Sequence, residues 1–265
     1  MNFESRIKTY DIEGIPFYYV EDNPTLFVRM SGGYDSAVLM YVLAYLRQQK
    51  LIDGKTVLQA QTANNWYRPY QQKFANQTID WINTQFNGDF EPIPHTLVDF
   101  PADSNDDLND ALDRLSEKID YLDYDKIYYT AETKFLPSDF TNGTQWENKL
   151  VPTQKNYNRE VITYKELLNP ELPYNPFHHE DELTRLWTAK PKEIFKHGSI
   201  RPWINHHKAH IKQISDYFGV TDQILKLTRS CEYELFDGTP WMDWSEHCGE
   251  CLWCAERLVT FGKLQ

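Results

Sequence analysis

The sequence predicts an α/β fold: an open, mostly parallel sheet with helices on both faces. Three observations predict it. Short strand-like runs alternate with helix-periodic runs through the first half of the chain. A glycine-bearing turn, Ser31-Gly32-Gly33-Tyr34-Asp35-Ser36, joins an apolar strand to an apolar helix. No apolar run approaches the ~18 residues of a membrane span, so these runs are core elements.

The elements follow in order. Residues 1–24 read as an irregular or two-strand lead-in, with Tyr18-Tyr19-Val20 strand-like. Thr25–Met30 reads as a short buried strand, and Ala37–Leu46 as a buried helix running to about Gln49. Thr56–Thr62 is the second strand of the alternation. Lys73 to about Gln85 carries Phe74, Ile79, Trp81 and Ile82 at amphipathic spacing. His95–Asp99 is the third strand, Asp107–Ile119 a helix, and Lys126–Thr130 the fourth strand. In such sheets ligands bind beyond the C-terminal strand ends. The Ser31 turn, Thr62–Asn65, Asp99 and Thr130–Glu132 all fall there.

Residues 137–200 are rich in Asn, Pro, Tyr and Trp and read as an insertion over the site. Its aromatics (Trp146, Tyr157, Tyr164, Tyr174, Phe177, Trp187) read as packing residues, with one or two able to stack on a purine. From Asn205 the chain is helical again and stops at Gly219, a C-cap, before a second helix from Thr221. The expected division is an α/β domain over 1–200, including the insertion, and a helical region over 201–265 packed on the same core.

Composition narrows the function. At 265 residues the chain can bury a sizeable core, and 15% aromatic residues argue for a folded protein. Asp11, Glu13 and Glu21 interrupt any signal-like apolar stretch, so a cytoplasmic protein is expected. The net charge of −12 argues against a broad basic face for nucleic acid. It favours a small-molecule substrate, with no nucleic-acid or membrane partner. A polyanionic nucleotide would need loop amides, a few cationic side chains and Mg²⁺.

The turn at 31–36 supplies such amides. Glycines let the backbone approach an anion, and a helix N-terminus aims free N–H groups and a positive dipole end at it. Ser31 and Ser36 add hydroxyls, while Asp35 beside phosphates calls for a cation. The plainer reading is a tight strand-to-helix turn with Ser and Asp as caps.

All four cysteines lie near the C-terminus, Cys231, Cys248, Cys251 and Cys254, with two x2 spacings. This clustering suits a thiolate metal site, with Zn²⁺ the expected ion and a structural role, since four cysteines close a tetrahedral site. An iron–sulfur cluster, buried free thiols and a redox dithiol are the alternatives. His247 and Glu250 sit among the ligands, as supporting or exposed residues.

Ser31–Ser36 resembles the SGG-x-DS signature of the PP-loop ATP pyrophosphatases, whose fold is the Rossmann-like adenine-nucleotide alpha-hydrolase sheet. It is not a Walker A loop. Gly54-Lys55-Thr56 imitates the end of one, but Gln49 stands where its first glycine belongs. With the cysteines, the turn resembles the 7-cyano-7-deazaguanine synthase family. Pro202-Trp203-Ile204-Asn205-His206-His207-Lys208 through Gly219 is similar to the family's Pro-Leu-x-x-Leu-x-Lys-x-Glu…Leu-Gly stretch, with His210 in place of the glutamate. Ser230-Cys231 and Cys248-Gly249-Glu250-Cys251-Leu252-Trp253-Cys254-Ala255-Glu256-Arg257 match its remaining motifs. Residues 25–50 and 200–262 carry the resemblance. The family's Pro-x-Arg-Asn segment has no counterpart, and the stretch from Asp99 to Lys126 is acidic instead.

The resemblance implies ATP-dependent conversion of 7-carboxy-7-deazaguanine and ammonia to the nitrile through an acyl-adenylate, in queuosine biosynthesis. It implies that Ser31, Gly32, Gly33, Tyr34, Asp35 and Ser36 bind ATP. Asp35 would face Mg²⁺, and Lys208 would contact phosphate. Asp35, Ser36 and Lys208 are the catalytic candidates. Trp66-Tyr67-Arg68 is similar to a Gly-Gln-Arg segment of the family, which makes Arg68 a nucleotide-binding candidate. Cys231, Cys248, Cys251 and Cys254 would bind zinc. Family members often form homodimers, which is the expectation here. The alternatives are a PP-loop amidase or ligase acting on another carboxylate or a protein terminus, and a degenerate nucleotide-binding module. A tRNA thiolase would want a basic surface and a cysteine outside the metal site.

Overall fold

The computed structural model describes residues 7–22, 25–64, 70–99, 126–131, 133, 199–203, 206–231, 246–249 and 252–265. The helix expected over 107–119, the insertion up to residue 198, Arg68 and Cys251 lie outside them.

Five parallel strands form the sheet: β3 (Thr25–Arg29), β4 (Val57–Asn64), β5 (His95–Asp99), β6 (Lys126–Tyr129) and β7 (Ser199–Ile200). Their spatial order is β5-β4-β3-β6-β7. A separate antiparallel hairpin, β1 (Ile7–Ile12) and β2 (Ile15–Val20), turns through Glu13 (φ 51°) and Gly14 (φ 82°). It docks on the sheet where the Val20 amide donates to the Tyr129 hydroxyl, 3.2 Å away.

The sequence explains the central position of β3. Leu26, Phe27 and Val28 are all buried, as a parallel strand covered on both faces requires. Helix α1 (Tyr34–Gln48) is apolar nearly all round, with Val38, Leu39, Met40, Val42 and Leu43 fully buried. It packs on β3, on α2 (Tyr70–Gln85), and on two helices from the far end of the chain, α3 (Lys208–Tyr217) and α4 (Thr221–Leu227). Helix α5 (Leu252–Phe261) packs on α3. Ile211, Ile214, Ile224 and Leu225 join the same hydrophobic core as α1. No described helix is long and apolar enough to cross a membrane.

The strand order reverses direction at β3. From β3 the chain moves outward to β4 and β5, then returns to the other side of β3 as β6. Such a reversal opens a crevice beyond the carboxyl ends of the two middle strands. The turn after β3 occupies that crevice.

Candidate functional site

The turn at 31–36 is built largely by its own atoms. Gly32 takes φ +72°, and a Cβ there would lie 2.8 Å from the Gln71 carbonyl oxygen, so only glycine fits. The Ser31 amide donates to Ser36 Oγ at 3.3 Å, and the Gly33 amide donates to Ser31 Oγ at 3.3 Å. The Ser36 hydroxyl donates to the Gly33 carbonyl at 3.1 Å. The first amides of α1, which precede its first i→i−4 bond, are left for a ligand. Neighbouring strands brace the entry: the Met30 amide donates to Gln61 O at 2.7 Å, and the Thr62 hydroxyl donates to Met30 O at 2.9 Å.

Distant residues complete the site. The Arg229 amide donates to Gly32 O at 2.8 Å, which ties the segment after α4 to the loop. The Arg229 guanidinium lies 5.0 Å from the centre of the Tyr70 ring. Tyr34 has its side chain fully buried, hydrogen-bonded to Ser215 of α3, so only its backbone is available to a ligand. Lys208, the first residue of α3, is 2% exposed and donates to Asp35 Oδ2 at 2.7 Å. Its ammonium also lies 3.3 Å from Glu256 Oε2 of α5. Burial opposes the charge on Lys208, but Asp35 and Glu256 outweigh it and hold the ammonium above its ordinary value. The lysine is therefore a fixed cation beside the loop.

Arg257 locks α5 to α4. Its Nη2 donates to the Leu225 carbonyl at 2.5 Å, near the C-terminus of α4, and to Thr228 Oγ1 at 3.2 Å. Burial lowers it to about 10, still fully charged at neutral pH. Beside Lys208 stand three buried imidazoles, His206, His207 and His210, with the rings of His207 and His210 4.0 Å apart. His207 and His210 cap α3: the Ala209 amide donates to His207 Nδ1, and the His207 amide to His210 Nδ1. Burial pushes His207 down to about 2 and His210 to about 4.

The thiols of Cys231, Cys248 and Cys254 lie within 4.8 Å of one another, a group that can hold a metal ion. Cys248 and Cys254 are 3.8 Å apart at sulfur. His247 Nδ1 approaches Cys254 Sγ at 3.6 Å. Tyr70 donates its hydroxyl to the Cys231 carbonyl, joining this cluster to α2 behind the loop.

The structure thus brings Ser31 to Ser36 and Lys208 to one place, and three of the four cysteines to another. Arg68 and Cys251 lie outside the described residues. Glu256 and Arg229 are parts of the site that sequence reasoning misses. The adjacent charges Glu256 and Arg257 between the apolar residues of Cys254–Val259 are the available signal for Glu256.

No protein-family model matches the chain, and no curated protein matches it. Among solved structures it is similar to the U34-tRNA thiolase NcsA from Methanococcus maripaludis with its 4Fe–4S cluster, at 12% identity and a TM-score of 0.42. That match covers 91% of this chain and 72% of the thiolase.

Proposed function

We propose that this chain is an ATP-dependent enzyme of the PP-loop type that adenylates a carboxylate. One observation carries the reading. A glycine loop with free helix-terminal amides sits at the switch point of a parallel sheet, with the buried Lys208 ammonium 2.7 Å from Asp35 of that loop. Amides of Tyr34 to Ser36 would hold the β- and γ-phosphates, and Lys208 would stabilise charge on the departing pyrophosphate. Asp35 would bind Mg²⁺ or its waters.

The substrate we propose is 7-carboxy-7-deazaguanine, on the strength of the motifs at 25–50 and 200–262. Its carboxylate attacks the α-phosphate, pyrophosphate leaves, and ammonia displaces AMP to give the amide. A second ATP activates the amide oxygen with release of pyrophosphate, and loss of AMP and a proton gives the nitrile. The protein's contribution is alignment of the attacking oxygen and preorganised positive charge. The acidic stretch from Asp99 to Lys126, in place of the Pro-x-Arg-Asn segment, favours a second reading, an amidase or ligase acting on another carboxylate.

The cysteine cluster fits zinc. Four thiolates at ~2.3 Å around a tetrahedral ion stand ~3.8 Å apart, and Cys248 and Cys254 have that separation, 3.8 Å. Cys231, Cys248 and Cys254 would hold the ion with Cys251, which the sequence supplies. The ion would pin the start of α5. Elemental analysis should find about one zinc per chain in the protein and none in Cys254→Ser.

Purified protein with ATP, Mg²⁺, ammonium and 7-carboxy-7-deazaguanine, read by mass spectrometry, tests the whole. Nitrile and AMP are expected. Amide alone would reduce the reaction to one cycle. Absence of any product with ATP still bound would overturn the deazaguanine substrate and favour the second reading.

A further inference from the structure

Lys208 is shared by two carboxylates. Asp35 belongs to the phosphate loop, 17% exposed, while Glu256 is 2% exposed and comes from the helix that carries Cys254. The charged Arg257 guanidinium, next to Glu256 in the chain, also acts on Asp35, so two cations face two carboxylates before any ligand arrives. The second Asp35 oxygen, Oδ1, is buried and makes no hydrogen bond among the described residues. A buried carboxylate oxygen in that state calls for a cation. An anion that brings its own cation, as a magnesium–triphosphate does, would satisfy that oxygen.

We propose that Glu256 is a positioning residue for Lys208, which keeps the ammonium at the loop once Asp35 turns to the incoming cation. The inference rests on the nucleotide reading above. Two contacts to Lys208 let the site exchange one without losing the other. With Glu256 alone as counter-charge, Lys208 stays ionised and aimed at the phosphates while Asp35 serves the metal. Without Glu256, the lysine and the cation compete for a single carboxylate. A residue that only packed α5 on α3 would have no such selectivity for the phosphate end of the ligand.

Calorimetric binding of Mg·ATP and of adenosine to the purified protein, Glu256→Gln and Glu256→Asp tests this. Glu256→Gln should weaken Mg·ATP by about ten- to a hundredfold, the size of a lost charge-assisted contact. Adenosine affinity should be unchanged. More Mg²⁺ should be needed to reach half-saturation, and Glu256→Asp should recover part of the loss. In a Lys208→Met background, Glu256→Gln should add nothing. Zinc content and melting temperature are read alongside. If Glu256→Gln does not fold, the selectivity of Glu256→Asp between adenosine and Mg·ATP decides. Equal loss of both ligands, or no loss of Mg·ATP, overturns the proposal and leaves the nucleotide reading standing. Failure of the unsubstituted protein to bind Mg·ATP overturns both.

Discussion

The two halves of the candidate site are built by opposite means. The turn at 31–36 closes through hydrogen bonds between residues two to five apart, and what it offers a ligand is backbone. The half drawn from 208–257 offers side chains: Lys208, Arg229, Glu256 and Arg257 are each 1–2% exposed and held by partners on other elements. The first half is closed by local hydrogen bonds and needs from elsewhere only backbone and hydroxyl braces from Gln61, Thr62 and Arg229. The second exists only after distant helices dock. Gly32 apart, the loop's side chains can therefore be replaced one at a time at modest cost, whereas a buried ion fails with its whole network.

Substitutions can break this contrast. The largest effect is expected for Lys208→Met, which leaves Asp35 and Glu256 without their shared cation. Stability should fall by about 3–5 kcal/mol in urea unfolding, the usual size for one partner removed from a buried ion network. Gly32→Ala comes next. Its positive φ and a Cβ 2.8 Å from Gln71 O should cost about 2–3 kcal/mol and abolish Mg·ATP binding.

The capping histidines sharpen the contrast by pH. His207 and His210 are held down to about 2 and about 4, against an ordinary value of ~6.5. The unfolded chain thus takes up protons first, and stability falls as pH drops from ~6.5 toward ~4. Each histidine contributes about 2 kcal/mol of loss by pH 5. Urea midpoints across that range should show it, and His210→Gln should flatten the slope by about one proton. Ser36→Ala is the mildest test. It removes hydrogen bonds to Ser31 and Gly33 and should cost about 1 kcal/mol, visible in the same unfolding assay.

Much of the architecture is legible because it is written in short-range pattern. Thr25–Met30, Thr56–Thr62, His95–Asp99 and Lys126–Thr130 each coincide with a strand of the parallel sheet to within one or two residues. The apolar run after Ser36 could be nothing but a buried helix. The clustered cysteines announce their own convergence, and Cys231, Cys248 and Cys254 do meet. Ser199–Ile200 hides at the end of the irregular stretch, because two residues have no periodicity and the strand exists only through its pairing with β6. Of the two readings of the lead-in, the two-strand one is found: a regular hairpin whose second strand contains Tyr18-Tyr19-Val20 and whose turn is Glu13-Gly14. Glu256 and Arg229 stay hidden for a different reason. The partners of Glu256 and Arg229 lie 48 and 197 residues away respectively, and no spacing rule spans that distance.

The hydrogen bond from the Arg229 amide to the Gly32 carbonyl sets an order of events during synthesis. The strand and helix around the loop emerge from the ribosome early, yet the loop lacks its brace until residue 229 has followed. Lys208 arrives later than its partner Asp35, and its second partner, Glu256, later still. A chain stopped before α3 would hold Asp35 without its Lys208 partner. The pair of contacts that fixes Lys208 is thus complete only once residue 256 has been made.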